Sequence, residues 1–250
     1  MEQTHFLGID VGASGIKGGM VNISTGELIE KRLRIDMPKE STPENVAQIV
    51  AEITKHFNYS GRIGVGFPSV VKNGVALTAA NLDKRWIGCN IEKTISDATN
   101  CKVYALNDAD AAGIAEMRFG FGKNVNGTVV LITIGTGLGT AVFLDGHLLS
   151  NTELGHLYMK SGIEAEHYAA DSVRKKEDLP IKKWAKRFNE YLELIEQYLQ
   201  PQLIILGGGI SKDFEEFKEK IKIETPVKPA QLLNSAGIIG AALFASESKK

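Results

Sequence analysis

The chain has almost no cysteine. Of its 250 residues only Cys89 and Cys101 carry a thiol. They form no C-x-x-C pair, which argues against a disulfide scaffold or a thiolate zinc site and fits a reducing compartment. Both read as small buried apolar residues. Charge of one sign is missing as well: 29 Lys and Arg stand against 30 Asp and Glu, a formal net charge of −1. No global field therefore points to nucleic acid or an anionic membrane as partner, and any anion site has to be local. No apolar run is long enough for a signal peptide or a membrane span, so the cytoplasm is the expected location. A G-x-x-x-x-G-K-[ST] phosphate loop is also absent.

What the chain does have is glycine in two matching places. Ile9-Asp10-Val11-Gly12-Ala13-Ser14-Gly15-Ile16-Lys17 and Ile132-Thr133-Ile134-Gly135-Thr136-Gly137-Leu138-Gly139-Thr140 align residue for residue, and alternating apolar positions follow each. Both read as strand, tight turn, strand. Glycines in such turns leave backbone N–H groups uncovered, and these can hold phosphate oxygens. Each alone is equally an ordinary hairpin; it is the duplication that favours a pair of phosphate turns and two lobes.

Ser41-Thr42-Pro43-Glu44 signals a helix start, with Val46, Ile49, Val50 and Ile53 as its apolar stripe. Ile63 to Phe67 is a strand that ends at Pro68. Val103 to Leu106 is another, delivering Asn107 and Asp108 at its C-terminal edge, where α/β proteins place reactive groups. Asp108 is either a general base or the N-cap of the Ala-rich helix beginning at Ala109. Asn151-Thr152-Glu153-Leu154-Gly155-His156 sets a carboxylate and an imidazole three residues apart, suited to adjacent sugar hydroxyls or else a capped loop with a solvent-facing His. Leu203 to Leu206 runs into Gly207-Gly208-Gly209, where a helix start would offer N–H groups and a dipole to phosphate. Lys17 and Lys212 follow their glycines at phosphate reach, or are surface lysines. Arg174, Lys175, Lys176, Lys182, Lys183, Lys186 and Arg187 form either a solvated helix face or a track for a polyanion.

In this order, two Gly-rich hairpins, Asn107-Asp108, Glu153-Leu154-Gly155-His156 and Gly207-Gly208-Gly209, the chain resembles the ROK family of sugar kinases. Thr78-Ala79-Ala80-Asn81-Leu82-Asp83-Lys84-Arg85-Trp86-Ile87-Gly88 and Asn151 to Leu157 make it most similar to the polyphosphate glucokinase branch of that family. The resemblance spans nearly the whole chain. It implies an α/β fold, two-lobed and actin/hexokinase-like (ribonuclease H-like), with duplicated mixed sheets. Residues 1–108 would form the first lobe, with a C-terminal helix at about 236–250 packing back onto it, and 109–235 the second.

It further implies Asp108 as general base on the 6-hydroxyl of glucose. Asn107, Glu153, His156, Glu166, Asn81 and Pro68 would lie on the sugar. Asp10, Gly12, Ser14, Gly15, Lys17, Gly135, Thr136, Gly137, Gly208, Gly209 and Lys212 would lie on the phosphoryl donor, with Asp10 placing Mg²⁺. The donor would be inorganic polyphosphate, ATP or both, and the assembly a homodimer; neither nucleic acid nor membrane is expected as a partner. The Cys-rich zinc motif of the wider family is missing after Gly155-His156, so no zinc is expected. A strictly ATP-dependent hexokinase and a non-catalytic sugar-sensing module are the alternatives, since fold alone does not fix function.

Overall fold

A computed structural model describes residues 4–248. The chain divides into two compact units. One comprises the residues up to Ala115 together with those from Ser235 onward, and the other runs from Glu116 to Asn234. The division falls within the helix that begins at Asp108, whereas the sequence suggests a border at 108/109. Residues 1–3, 249 and 250 of the expected first lobe lie outside the described residues.

In the first unit, β1 (His5–Gly12) and β2 (Gly15–Asn22) form an antiparallel hairpin whose register closes with Gly12 opposite Gly15. Two short strands follow, β3 (Glu27–Leu28) and β4 (Leu33–Asp36), each paired to β2. Helix α1 (Pro43–His56) starts where Thr42 Oγ1 accepts the Asn45 N–H at 3.2 Å, and it buries Val46, Ile49, Val50 and Ile53. Strand β5 (Ile63–Phe67) lies parallel to β1. A small hairpin of β6 (Val71–Lys72) and β7 (Val75–Ala76) comes next, then α2 (Ile91–Thr99). Strand β8 (Val103–Asn107) lies parallel to β5 and leads directly into α3 (Asp108–Phe119). The sheet order is β3-β2-β1-β5-β8. Trp86, fully buried, packs its ring 4.6 Å from that of Phe67, so the most conspicuous residue of the 78–88 block serves the core.

The second unit repeats the scheme. Strands β9 (Thr128–Ile134), β10 (Leu138–Leu144) and β11 (His147–Leu149) are antiparallel neighbours. Helices α4 (Ala165–Ala169), α5 (Asp171–Lys176) and α6 (Ile181–Leu199) come next. Strand β12 (Leu203–Gly208) lies parallel to β9, and after α7 (Phe214–Phe217), β13 (Val227–Pro229) lies parallel to β12. The order is β11-β10-β9-β12-β13. Trp184, Phe188, Tyr191 and Phe217 form the aromatic centre of its core.

The last helix, α8 (Ala236–Glu247), packs on β1 and β5 of the first unit through glycine. A methyl at Gly64 would fall 1.8 Å from the Ala241 carbonyl oxygen, and one at Gly240 would fall 1.6 Å from that of Ala111. Neither obstacle is a flexible side chain. Gly240→Ala is expected to cost about 1–3 kcal/mol or more through overpacking and to lower Tm by several degrees. Thermal unfolding followed by circular dichroism checks this, and an unchanged Tm would show that the helix can shift freely.

Candidate active site

The parallel register brings the C-terminal ends of β1, β5 and β8 to one edge of the first sheet. Asp10 is opposite Gly66 and Phe67 is opposite Asn107, so Asp10, Pro68 and Asp108 all lie at that edge. At the start of α3, Asn107 rather than Asp108 is the cap. Its Oδ1 accepts the N–H groups of Ala109 at 2.8 Å and Asp110 at 3.1 Å, and its Nδ2 donates to Ser69 O at 3.1 Å. Asn107 is buried and Asp108 partly exposed. Helix nucleation therefore does not require the Asp108 carboxylate, whose Oδ1 accepts the Ala109 N–H at 2.9 Å. The Ser69 contact also fixes the loop carrying Pro68, while Ser69 Oγ itself donates to Thr78 O at 2.8 Å. Asn81, beyond this loop, is exposed.

The first turn exposes Ala13 and Ser14 between Gly12 and Gly15. Lys17 Nζ lies 2.8 Å from Asp10 Oδ2, so the residue read as a phosphate ligand is ion-paired with the one read as the metal ligand. Asp10 Oδ1 faces Gly237, where a methyl would sit 3.2 Å from it.

In the second unit the turn Gly135-Thr136-Gly137 is anchored by α5: Ser172 N donates to Gly135 O at 3.1 Å and Ser172 Oγ to Thr136 O at 2.6 Å. The turn also meets the sugar candidates, because a methyl at Gly137 would fall 2.5 Å from Glu166 Oε2. The Glu153–His156 segment is seated on β10. Leu154 N donates to Thr140 Oγ1 at 3.1 Å, and Gly155 approaches so closely that a methyl there would meet the Leu138 carbonyl oxygen at 2.2 Å. Glu153 makes no side-chain capping hydrogen bond to the 3₁₀ turn that follows it.

His156 is held by carboxylates. Its Nδ1 lies 2.7 Å from Glu164 Oε2 and 3.9 Å from Glu166 Oε1, and its Nε2 lies 3.7 Å from Glu153 Oε2. The hydrogen bond to Glu164 raises the imidazole above its ordinary range and holds the Glu164 carboxyl below its own. Desolvation raises Glu153, against the opposing pull of His156. Sequence reasoning missed Glu164; its signal was a carboxylate two residues before Glu166. His156, Glu164 and Glu166 have ligand atoms within 4.8 Å of one another and could hold a cation, but the set contains one nitrogen and no thiolate.

Gly208 ends β12 at φ +82°, and a methyl there would meet Ile134 O at 2.2 Å, so glycine is required. Beyond Gly208 the chain turns helical at once, beginning at Gly209 as the sequence suggests. The run opens as a 3₁₀ helix (Gly209–Asp213), continues through the four-residue α7 and closes in a second 3₁₀ turn (Lys218–Lys220). Exposed Gly208, Gly209 and Lys212 stand at the start of this helical run, where they can meet a phosphate. In the basic stretch, Arg174 and Lys175 each lie 2.7 Å from buried Asp171, and Arg187 lies 2.8 Å from Glu177. Lys176, Lys182, Lys183 and Lys186 are exposed.

A ROK family model matches residues 6–177. The chain belongs to the ROK family. A polyphosphate glucokinase of Mycobacterium tuberculosis (strain CDC 1551 / Oshkosh) is 50% identical over 242 residues, covering 96% of this chain and 91% of that one. A polyphosphate glucokinase of Mycobacterium leprae is 46% identical, covering 95% and 73%. Among solved structures, an inorganic polyphosphate/ATP-glucomannokinase from Arthrobacter sp. strain KM superposes with a TM-score of 0.94 at 39% identity, covering 98% of this chain and 99% of that one. A Streptomyces griseus ROK glucokinase superposes with a TM-score of 0.84 at 20% identity, covering 98% and 100%, a likeness of fold alone. The fold is the actin/hexokinase-like α/β fold of these kinases.

Proposed function

We propose that this chain is a glucokinase that transfers a phosphoryl group from inorganic polyphosphate, with ATP as a second donor, to the 6-hydroxyl of glucose. The observation that carries this reading is the 50% identity to a polyphosphate glucokinase over 96% of the chain. Both donors stand in the name of the Arthrobacter enzyme.

Asp108 is the base that takes the proton of the attacking hydroxyl; capping by Asn107 supports this, since the start of α3 does not depend on Asp108 alone. Glu153, His156 and Glu166 hold sugar hydroxyls, with Glu164 orienting the imidazole. Asn107 has a second Nδ2 hydrogen to offer the sugar, and Pro68 and Asn81 border it. The two Gly-rich turns, Lys17, Gly208, Gly209 and Lys212 take the donor. Phosphoryl transfer depends mainly on positioning and charge neutralisation, which such a set provides without covalent catalysis. Mg²⁺ fits Asp10: a hard dication bound through one carboxylate and donor phosphates needs few protein oxygens, and Asp10 Oδ2 already meets a cation, Lys17. When bound, it would neutralise charge on the donor. We place the enzyme in the cytoplasm as a homodimer; among the described residues no helix is long and apolar enough to cross a membrane.

The acceptor half of the reading is tested by calorimetric glucose titration. Glu153→Gln and His156→Ala are each expected to weaken glucose affinity about ten-fold or more, from the loss of charge-assisted hydrogen bonds, and to leave donor affinity near wild type. Unchanged glucose binding in both variants would remove these residues from the sugar.

A further inference from the structure

The first turn carries a cation outside the glycine motif. Arg34 on β4 is the register partner of Lys17 on β2, and Lys17 is the partner of Asp10 on β1. Cross-strand partners project from the same face, and like charges set directly opposite destabilise a sheet. This row therefore holds one carboxylate and two cations, with Asp10 engaged by Lys17 at 2.8 Å. The Arg34 guanidinium folds back over the turn. Its Nη2 donates to Ser14 O at 3.0 Å, and its Nη1 is ion-paired with Asp36. Gly15 provides the seat: a methyl there would fall 3.0 Å from Arg34 Nη2, 3.1 Å from its Cζ and 2.9 Å from Ile35 O. The Ile35 carbonyl is what requires glycine here, and the guanidinium rests over the same bare backbone. That side chain is 46% exposed, and that of Asp36, two residues along β4, is 80% exposed. A guanidinium carries five N–H donors in a planar fork suited to phosphate oxygens.

We propose that Arg34 and Lys17 form a two-cation clamp for an oligophosphate at the first turn, with the Asp36 carboxylate standing in the fork where a phosphate oxygen binds. The inference rests on the donor reading above and adds to it a recognition residue that the glycine pattern does not contain. The shared ligand chemistry is a triphosphate, which either polyphosphate or ATP can supply.

The test is titration of the full chain, without glucose, with inorganic tripolyphosphate and separately with ATP, using wild type, Arg34→Gln, Arg34→Lys and Asp36→Asn. Arg34→Gln should weaken tripolyphosphate binding about ten-fold or more, and Arg34→Lys should restore only part of it, since a point charge replaces a fork. Asp36→Asn should tighten binding a few-fold by removing the competing carboxylate; a merely structural Arg34–Asp36 latch would not produce that gain. An effect on both ligands assigns the clamp to a triphosphate common to the two donors, and an effect on tripolyphosphate alone assigns it to polyphosphate. Wild-type tripolyphosphate affinity in both Arg34→Gln and Asp36→Asn, with normal glucose phosphorylation, would overturn the clamp and leave the donor reading standing. A wild-type protein that phosphorylates glucose from neither donor would overturn the donor reading itself.

Discussion

Asp108→Asn is expected to lower kcat by roughly 10² to 10⁴, the range for removing a general base, while glucose affinity and Tm stay near wild type. The substitution is nearly isosteric. An amide oxygen can still accept the Ala109 N–H now taken by Asp108 Oδ1 at 2.9 Å, and the cap of α3 belongs to Asn107. What the amide cannot do is take a proton from a hydroxyl as phosphorus is attacked. A structural role would give the opposite pattern, a lower Tm with kcat preserved. Turnover within a few-fold of wild type would return Asp108 to the role of a first-turn helix residue.

The second large effect concerns the basic face of α5 and α6. Read from sequence, Arg174, Lys182 and Lys186 are the natural trio to neutralise. Arg174 is unsuitable, because it is tied to buried Asp171, and its loss would expose a structural carboxylate rather than test a ligand contact. Lys176, Lys182 and Lys186 are the cleaner set. Lys182 and Lys186 are like charges at i and i+4 on α6, an arrangement that is mildly destabilising in a free helix. They project away from the buried Trp184, Ala185 and Phe188. Through Ser172 the same segment abuts the Gly135–Gly137 turn, so the basic surface continues from a donor turn. Replacing the three lysines with Gln should raise KM for long polyphosphate about ten-fold or more and flatten its log–log salt dependence by about one unit per phosphate contact removed, by analogy with nucleic-acid backbones. KM for ATP and for glucose should move little. Equal salt sensitivity for both donors with no change in KM would make this a solvated helix face and shift the search to Lys84, Arg85 and Lys212. Of these, Lys84 already donates to Ala79 O at 2.6 Å and Arg85 is engaged by Asp83 at 2.9 Å, so Lys212 would be the first to test.

Much of the fold is legible in the chain itself. The paired hairpins, the strands feeding Phe67 and Asn107 and the start of α1 at Thr42 follow from periodicity and capping, which act over a few residues. What escapes depends on residues far apart in sequence or on backbone detail. Arg34 reaches Ser14 across twenty residues only because β4 pairs with β2. Glu164 meets His156 because a bridge between Tyr158 and Glu164 folds that loop back. The need for glycine at Gly64 and Gly240 emerges only when α8 is seen resting on the backbone of β5 and α3. After Gly207-Gly208-Gly209 a helix does start, but that its first turn is 3₁₀ and follows a Gly208 at positive φ is backbone detail the sequence does not carry. Trp86 reads as part of a site block, and burial against Phe67 makes it core.

The central claim is tested most directly by initial rates of glucose 6-phosphate formation, measured with Mg²⁺ on one preparation with long-chain polyphosphate or ATP as the sole donor. The account predicts glucose 6-phosphate from polyphosphate, with a higher kcat/KM than from ATP and a steeper loss with added salt. Formation of glucose 6-phosphate from ATP alone, or from neither donor, would contradict it.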